Sequence, residues 1–228
     1  MAEPQAQPLP TAKGEVTVLE LTRAQEIMAR RVAETKATVP EFALRALADA
    51  APARAATAAA GATLADAVVH AAARALRDVP RGNGAYRDNR WELYGRVNVG
   101  LAMAADEALT VPTVFDADVK SLAEIAAETR GLGERVLART IRPPELAGQT
   151  FTVLDLGAAR VASFQAILNG GQAAVLAVGA VREAPVVRDG AVAPGEVVEL
   201  TLTCDHRILF GAVAGELLDR IVARLEGL

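Results

Sequence analysis

Residues 196–211 read EVVELTLTCDHRILFG, and this run decides how the rest of the chain is arranged. From Glu196 to Cys204 apolar and polar side chains alternate, the period-2 pattern of a long strand with one face in a core. The alternation stops at Asp205-His206-Arg207, and Gly211 opens a helix-periodic run to Leu225 that predicts a terminal helix. A histidine set between a strand end and a Gly-initiated helix is placed to face a cleft. On these residues alone His206 reads either as an ordinary histidine at a strand end or as a candidate for acid–base chemistry.

Working outward, Ala173–Val178 (AAVLAV) predicts a buried strand, Pro185–Val187 a shorter one, and Gly190 a turn leading into the long strand. Phe151–Leu154 is a strand ended by Gly157. Arg96–Ala104 (RVNVGLAMA) is apolar enough for burial on both faces. Leu109–Val114 is another strand, its Pro112 suggesting an edge or bulge, and Trp91–Leu93 a short one. Val97, Val99, Leu101, Val175, Leu176, Val178, Leu200 and Leu202 are the expected sheet core.

Thr63–Arg77 carries Leu64, Ala67, Val68, Ala71 and Leu76 at helical spacing, closed by Pro80 and an exposed turn at Gly82-Asn83-Gly84. Thr22 with Gln25, and Ser121 with Glu124, are capping boxes that start helices running to about Lys36 and to Leu137 or Arg139. Val39-Pro40 ends the first helix. Glu41–Ala50 fits a strand or a short helix. Residues 1–14, rich in Pro, Ala and Gln, read as a flexible tail or linker remnant, leaving 15–228 as one domain. Strands mixed with a few packed helices indicate an α/β sandwich.

Composition narrows the function classes. The chain has 228 residues, 52% of them apolar and only 4% aromatic, so the core is built from Leu, Val, Ile and Ala. Charges are interspersed, with 24 basic and 28 acidic residues, and no basic face suits nucleic acid. Cys204 is the only cysteine, and His70 and His206 the only histidines, which argues against a disulfide, a thiolate cluster or a His-rich metal site. No metal is expected. The start, MAEPQAQPLP, lacks a signal-peptide apolar core, and apolar stretches break before ~18 residues, so neither membrane insertion nor export is expected and the location expected is cytoplasmic. His70, on a helix, reads as structural.

Five segments in order resemble the dihydrolipoyl acyltransferase family of 2-oxo-acid dehydrogenase complexes. They are LTRAQEIMARRVAETKATVPEF, TLADAVVHAAARALRDVPRGNGAY, VNVGLAMAADEALTVPTV, PPELAGQTFTVLDLG and LTCDHRILFG, the last similar to the family's D-H-R-x-x-D-G signature. The resemblance spans roughly residues 15–228. It implies a chloramphenicol acetyltransferase-like two-layer sandwich with a mixed central sheet, and acyl transfer between dihydrolipoamide and coenzyme A. Coenzyme A would be a substrate, and the lipoyl group would arrive on another domain or chain.

A thiol of pKa ~8.5 is mostly protonated at neutral pH, so attack needs a base, the role the resemblance gives to His206. Asp205 and Arg207 are implied to support the site structurally. The family stabilises the oxyanion with a Ser or Thr hydroxyl in F-T-x-S/T, where this chain has Phe151-Thr152-Val153-Leu154. Leu154 has no donor; Thr152 lies one strand repeat away, and Asp155 would have to be protonated to serve. Phe210 stands where the signature carries Asp, and Asn169-Gly170-Gly171 where a proline is common. The family is trimeric, with the histidine from one chain facing the hydroxyl segment of its neighbour. A homotrimer is therefore expected, working with other 2-oxo-acid dehydrogenase complex components. The chain stops at Glu226-Gly227-Leu228, without the apolar tail that joins trimers into cages, so the expectation is a closed trimer. Two other readings are a catalytically impaired homologue serving as scaffold or partner subunit, and an acyltransferase acting on a small amine or alcohol.

Overall fold

The structure, a computed structural model, describes residues 7–105, 108–188 and 190–228. In chain order the elements are β1 (Gln7–Thr11), β2 (Gly14–Val18), α1 (Arg23–Thr38), β3 (Glu41–Asp49), α2 (Ala51–Ala60), α3 (Leu64–Asp78), β4 (Gly84–Arg87), β5 (Arg90–Leu93), β6 (Val99–Ala105), β7 (Ala108–Thr110) and β8 (Thr113–Val114). They continue with α4 (Leu122–Leu137), β9 (Phe151–Asp155), β10 (Ala174–Val178), β11 (Arg182–Arg188), β12 (Ala191–Asp205) and α5 (Gly211–Glu226).

The central sheet has the order β11-β12-β10-β9-β6-β7, with β3 also on β12 and β8 on β6. Its pairings β10–β9 and β9–β6 are parallel, and the rest antiparallel, so the sheet is mixed as expected. The long strand organises it: residues 191–197 pair with β11, and 197–205 pair with β3 along its whole length. That pairing settles Glu41–Asp49 as strand.

One face of the sheet carries the main core, where Leu176, Val178, Leu200, Leu202 and Phe151 meet Leu76 and Val68 of α3 and Leu217 and Ile221 of α5. The opposite face carries a smaller cluster in which Val175, Ala177 and Leu154 meet Phe164, Ala166 and Leu168 of the irregular segment between β9 and β10. All eight expected sheet-core residues are buried. Ala-rich helices let α3 lie close against the sheet, since ten of its residues are buried. Among the described residues no single helix is long and apolar enough to cross a membrane.

Both expected capping boxes form, and Thr63 with Asp66 makes a third at the start of α3. Several expectations need correction. Residues 7–11 are a strand, not tail: they pair with β2 across a turn at Gly14 (φ +92°). Pro8 and Pro10 are two apart, so in this ribbon their missing donors fall on the same edge, where proline is tolerated. Residues 1–6 lie outside the described residues. The Gly82-Asn83 turn is buried, because Asn83 Nδ2 donates to the carbonyls of Tyr94 (2.8 Å) and Arg96 (2.9 Å). The exposed turn is instead Asp88-Asn89, both at positive φ, joining β4 to β5 as a two-residue hairpin. Leu109–Val114 is split into β7 and β8 on either side of Val111-Pro112. Helix α2, whose APARAATAAA has little apolar periodicity, had no signal beyond its alanines.

Candidate active site

Alternation holds through β12 to Asp205, and then the backbone must turn. The turn is fixed by hydrogen bonds to several elements. Asp205 N donates to Ala173 O (2.9 Å), His206 N to Pro40 O (3.0 Å), and Ile208 N and Leu209 N both donate to Asp205 O. The buried Asp205 carboxylate accepts from Arg207 N and Nε (2.9 Å each, Oδ1) and from Arg207 Nη2 (2.8 Å, Oδ2). This forked pair is the strong, geometry-setting kind, and the Arg207 guanidinium also lies 4.5 Å over the Tyr86 ring. Asp205 and Arg207 thus brace the turn and leave His206, the residue between them, exposed.

His206 stands among rings. Its centroid is 4.6 Å from Phe42 of β3 and 5.9 Å from Phe210. Phe210 in turn meets Trp91 of β5 edge-on at 6.1 Å, and Trp91 Nε1 donates to Arg207 O (2.9 Å). Arg81 lies over both Trp91 (5.2 Å) and Phe210 (5.7 Å). Sequence reasoning missed Phe42, Arg81, Tyr86 and Trp91. Their one legible signal was that Trp91 is the chain's only tryptophan and sits beside a turn.

Leu154 is elsewhere. It faces the second side of the sheet, packed with Val39 and Phe164 in the smaller apolar cluster. Thr152, on the same face, is buried and committed, its hydroxyl donating to Gln172 Oε1 (2.9 Å). The Asp155 carboxylate accepts from Gly157 N (2.7 Å), and burial raises its pKa above the ordinary carboxylate value. Leu154 is level with Ala177 on β10, and Ala177 with Thr201 on β12. His206 is thus five residues farther along and two strands across, about 16 Å by about 10 Å. Groups sharing one reacting carbonyl must lie within ~3 Å of it, so one chain does not bring them together.

The remaining candidates are structural. Burial pushes the Cys204 thiol up to about 12, so it is no nucleophile. Half-buried His70, facing Arg74 and Arg224, is pushed down to about 4 by burial and then by those charges. Gly171 adopts φ +85°, which proline cannot. Among the described residues no three His, Cys, Asp or Glu side chains are grouped to hold a metal ion.

The comparisons agree with the segments read in the sequence. The profile of "2-oxoacid dehydrogenases acyltransferase (catalytic domain)" matches residues 13–228. The dihydrolipoyllysine-residue acetyltransferase component of the pyruvate dehydrogenase complex of Rhizobium meliloti (strain 1021) is 35% identical over 215 residues, 89% of this chain and 48% of that protein. The mitochondrial counterpart from Dictyostelium discoideum is 31% identical over 91% of this chain and 34% of its own length. The chain therefore spans less than half the length of these two relatives. Among solved structures, the Azotobacter vinelandii dihydrolipoamide acetyltransferase, studied for the roles of a serine, a histidine and an asparagine in its catalytic mechanism, superposes with TM-score 0.89 at 27% identity, covering 98% of this chain and 97% of that one. A probable dihydrolipoamide acetyltransferase from Listeria monocytogenes gives 0.87 at 28% identity, covering 92% and 94%. A chloramphenicol acetyltransferase shares the fold, with TM-score 0.53 at 13% identity over 96% of this chain and 100% of that one. The chain belongs to the 2-oxoacid dehydrogenase acyltransferase catalytic-domain family.

Proposed function

We propose that the chain transfers an acyl group between a dihydrolipoyl thiol and coenzyme A, with His206 as general base. The observation that carries this is the exposed His206 ring on a turn braced by the Asp205–Arg207 fork, in a chain of this family. The thiol sulfur attacks the thioester carbonyl carbon while His206 takes its proton. A new C–S bond forms, the old one breaks, and His206 returns the proton to the departing thiolate. Asp205 and Arg207 hold the turn and touch no reacting atom. Coenzyme A is a substrate, and the lipoyl group comes from another domain or chain, in concert with the other components of a 2-oxo-acid dehydrogenase complex.

The separation of His206 from Leu154 favours a site completed by a second subunit, in a homotrimer whose cleft sets His206 of one chain against the Leu154 face of the next. Acyl-CoA with dihydrolipoamide should turn over, and His206→Ala should abolish turnover. Turnover unchanged in His206→Ala would sink the assignment.

One observation favours the second reading, an impaired homologue acting as scaffold or partner. At the two positions where the family resemblance expects polar groups, Leu154 packs in an apolar cluster and Phe210 lies against the Trp91 and His206 rings and the Arg81 guanidinium. Losing one oxyanion donor costs about 10²–10³ in rate. Leu154→Ser with Phe210→Asp should recover activity on that scale if the face is otherwise intact. A folded double variant with no gain would favour the scaffold.

A further inference from the structure

Arg81 differs from the other basic side chains near His206. Arg207 is forked to Asp205, whereas Arg81 is half-buried and makes neither a hydrogen bond nor an ion pair among the described residues. It lies instead over the ring faces of Trp91 and Phe210. Contact with ring faces uses none of the guanidinium N–H donors, so those of Arg81 stay available for the forked contact that a carboxylate accepts. Both rings are large and nearly half exposed, Trp91 at 47% and Phe210 at 44%, so the guanidinium sits on an open apolar platform. The Phe210 ring borders both groups, 5.7 Å from the guanidinium and 5.9 Å from the His206 ring. Charge and apolar surface are thus combined within one ring's width of the proposed base.

We propose that Arg81, Trp91 and Phe210 form a specificity site for a carboxylate at the far end of the acyl group, so that the preferred donor is the half-thioester of a short dicarboxylic acid. The inference rests on the acyltransferase reading. The carbon chain lies along the Phe210 and Trp91 rings, and the carboxylate meets the open edge of Arg81. Coenzyme A also carries oxyanions, but its pantetheine arm puts the phosphates many bonds from the reacting sulfur, whereas Arg81 and His206 border the same Phe210 ring. The replacement that removes a polar group at position 210 is also what supplies one wall of this site.

Trp91 is the chain's only tryptophan, so its fluorescence reports on the patch without any need for turnover. The probes are succinyl and acetyl thioesters of N-acetylcysteamine, which carry no phosphate, with free coenzyme A as a third arm. The succinyl thioester should perturb Trp91 at concentrations where the acetyl thioester does not. Arg81→Gln should weaken that response about tenfold or more, with Arg81→Lys in between because an ammonium cannot fork. Turnover with dihydrolipoamide should show the same shift in the succinyl-to-acetyl ratio of kcat/KM. Equal responses to the two thioesters, or a ratio unchanged in Arg81→Gln, would overturn the proposal. So would an Arg81-dependent response to coenzyme A with none to the succinyl thioester, which would mark a phosphate site. Selective succinyl binding without turnover would uphold the carboxylate site and sink the acyltransferase reading instead.

Discussion

His70 shows what a single titratable side chain does in this core. It lies half-buried on α3, with Arg74 one turn along the same helix and Arg224 facing it from α5; Asp78 pairs with Arg224. Its folded pKa of about 4 lies below the ordinary histidine value of 6.5, so between those limits the unfolded chain binds a proton that the folded chain refuses. Stability is therefore full above pH 6.5, falls as pH drops through this window, and levels off below 4. His70→Gln should lose less stability than the wild type between pH 7 and pH 5, read as the shift in urea midpoint. Equal losses would mean that His70 does not titrate as its surroundings require. At this scale the sequence was legible where chemistry is contiguous. Asp205-His206-Arg207 are consecutive, and a strand exit places them. The rings around His206 come from positions 42, 91 and 210, and the guanidinium from 81. No local pattern links residues that meet only after β3, β5 and α5 are assembled.

Helix starts are the most legible elements in this chain, and one of them is deficient. Three helices, α1, α3 and α4, begin with a hydroxyl cap and a reciprocal N3 side chain. The boxes at Thr22 and Ser121 were readable because the chemistry is local and the spacing fixed; the one at Thr63, closed by Asp66 instead of Glu or Gln, was not read. Helix α5 begins at Phe210, which has extended backbone (φ −96°, ψ 160°) and no side-chain cap, and its first turn holds no acidic residue. The position that carries Asp in the family signature is thus the N-cap of the last helix. Phe210→Asp should place a carboxylate on the free N–H groups of the first turn and stabilise the fold by about 0.5–2 kcal/mol. Removing the phenyl ring from beside Trp91 and Arg81 works against this, but the ring is 44% exposed, so its removal reduces the gain without reversing it. Chemical denaturation with an unchanged m-value and a higher midpoint is the expected result; a lower midpoint would show that the Phe210–Trp91–Arg81 stack outweighs the cap. Where the sequence was silent, as at α2 and β4, neither periodicity nor a cap marked the element, and pairing or packing elsewhere in the chain produced it.

For the whole molecule the deciding quantity is the distance between the two faces that the proposed reaction must join. Strand register fixes it. Leu154, Ala177 and Thr201 are level across β9, β10 and β12, and His206 lies five residues beyond Thr201. Hydrogen-bonded strands do not slide by one residue without turning every side chain to the wrong face, so no local adjustment closes a gap of about 16 Å. If the protein performs the proposed transfer, the histidine of one subunit must work against the Leu154 face of another. Three subunits of 23.7 kDa in a closed ring would satisfy this with identical interfaces, and light scattering should give three times that mass. Mixing supplies a sharper test. His206→Ala removes the base, and Leu154→Arg fills the opposing face with a long cation, so each variant alone should be inactive. In a randomly reassembled one-to-one mixture, a cleft is intact when the chain offering Leu154 is the His206→Ala variant and the chain offering His206 is the Leu154→Arg variant, about one cleft in four for a closed ring of shared sites. Mixed rings should therefore recover about a quarter of wild-type activity. If both groups belonged to one chain, every mixed ring would contain only disabled sites, and refolding the variants together would restore nothing.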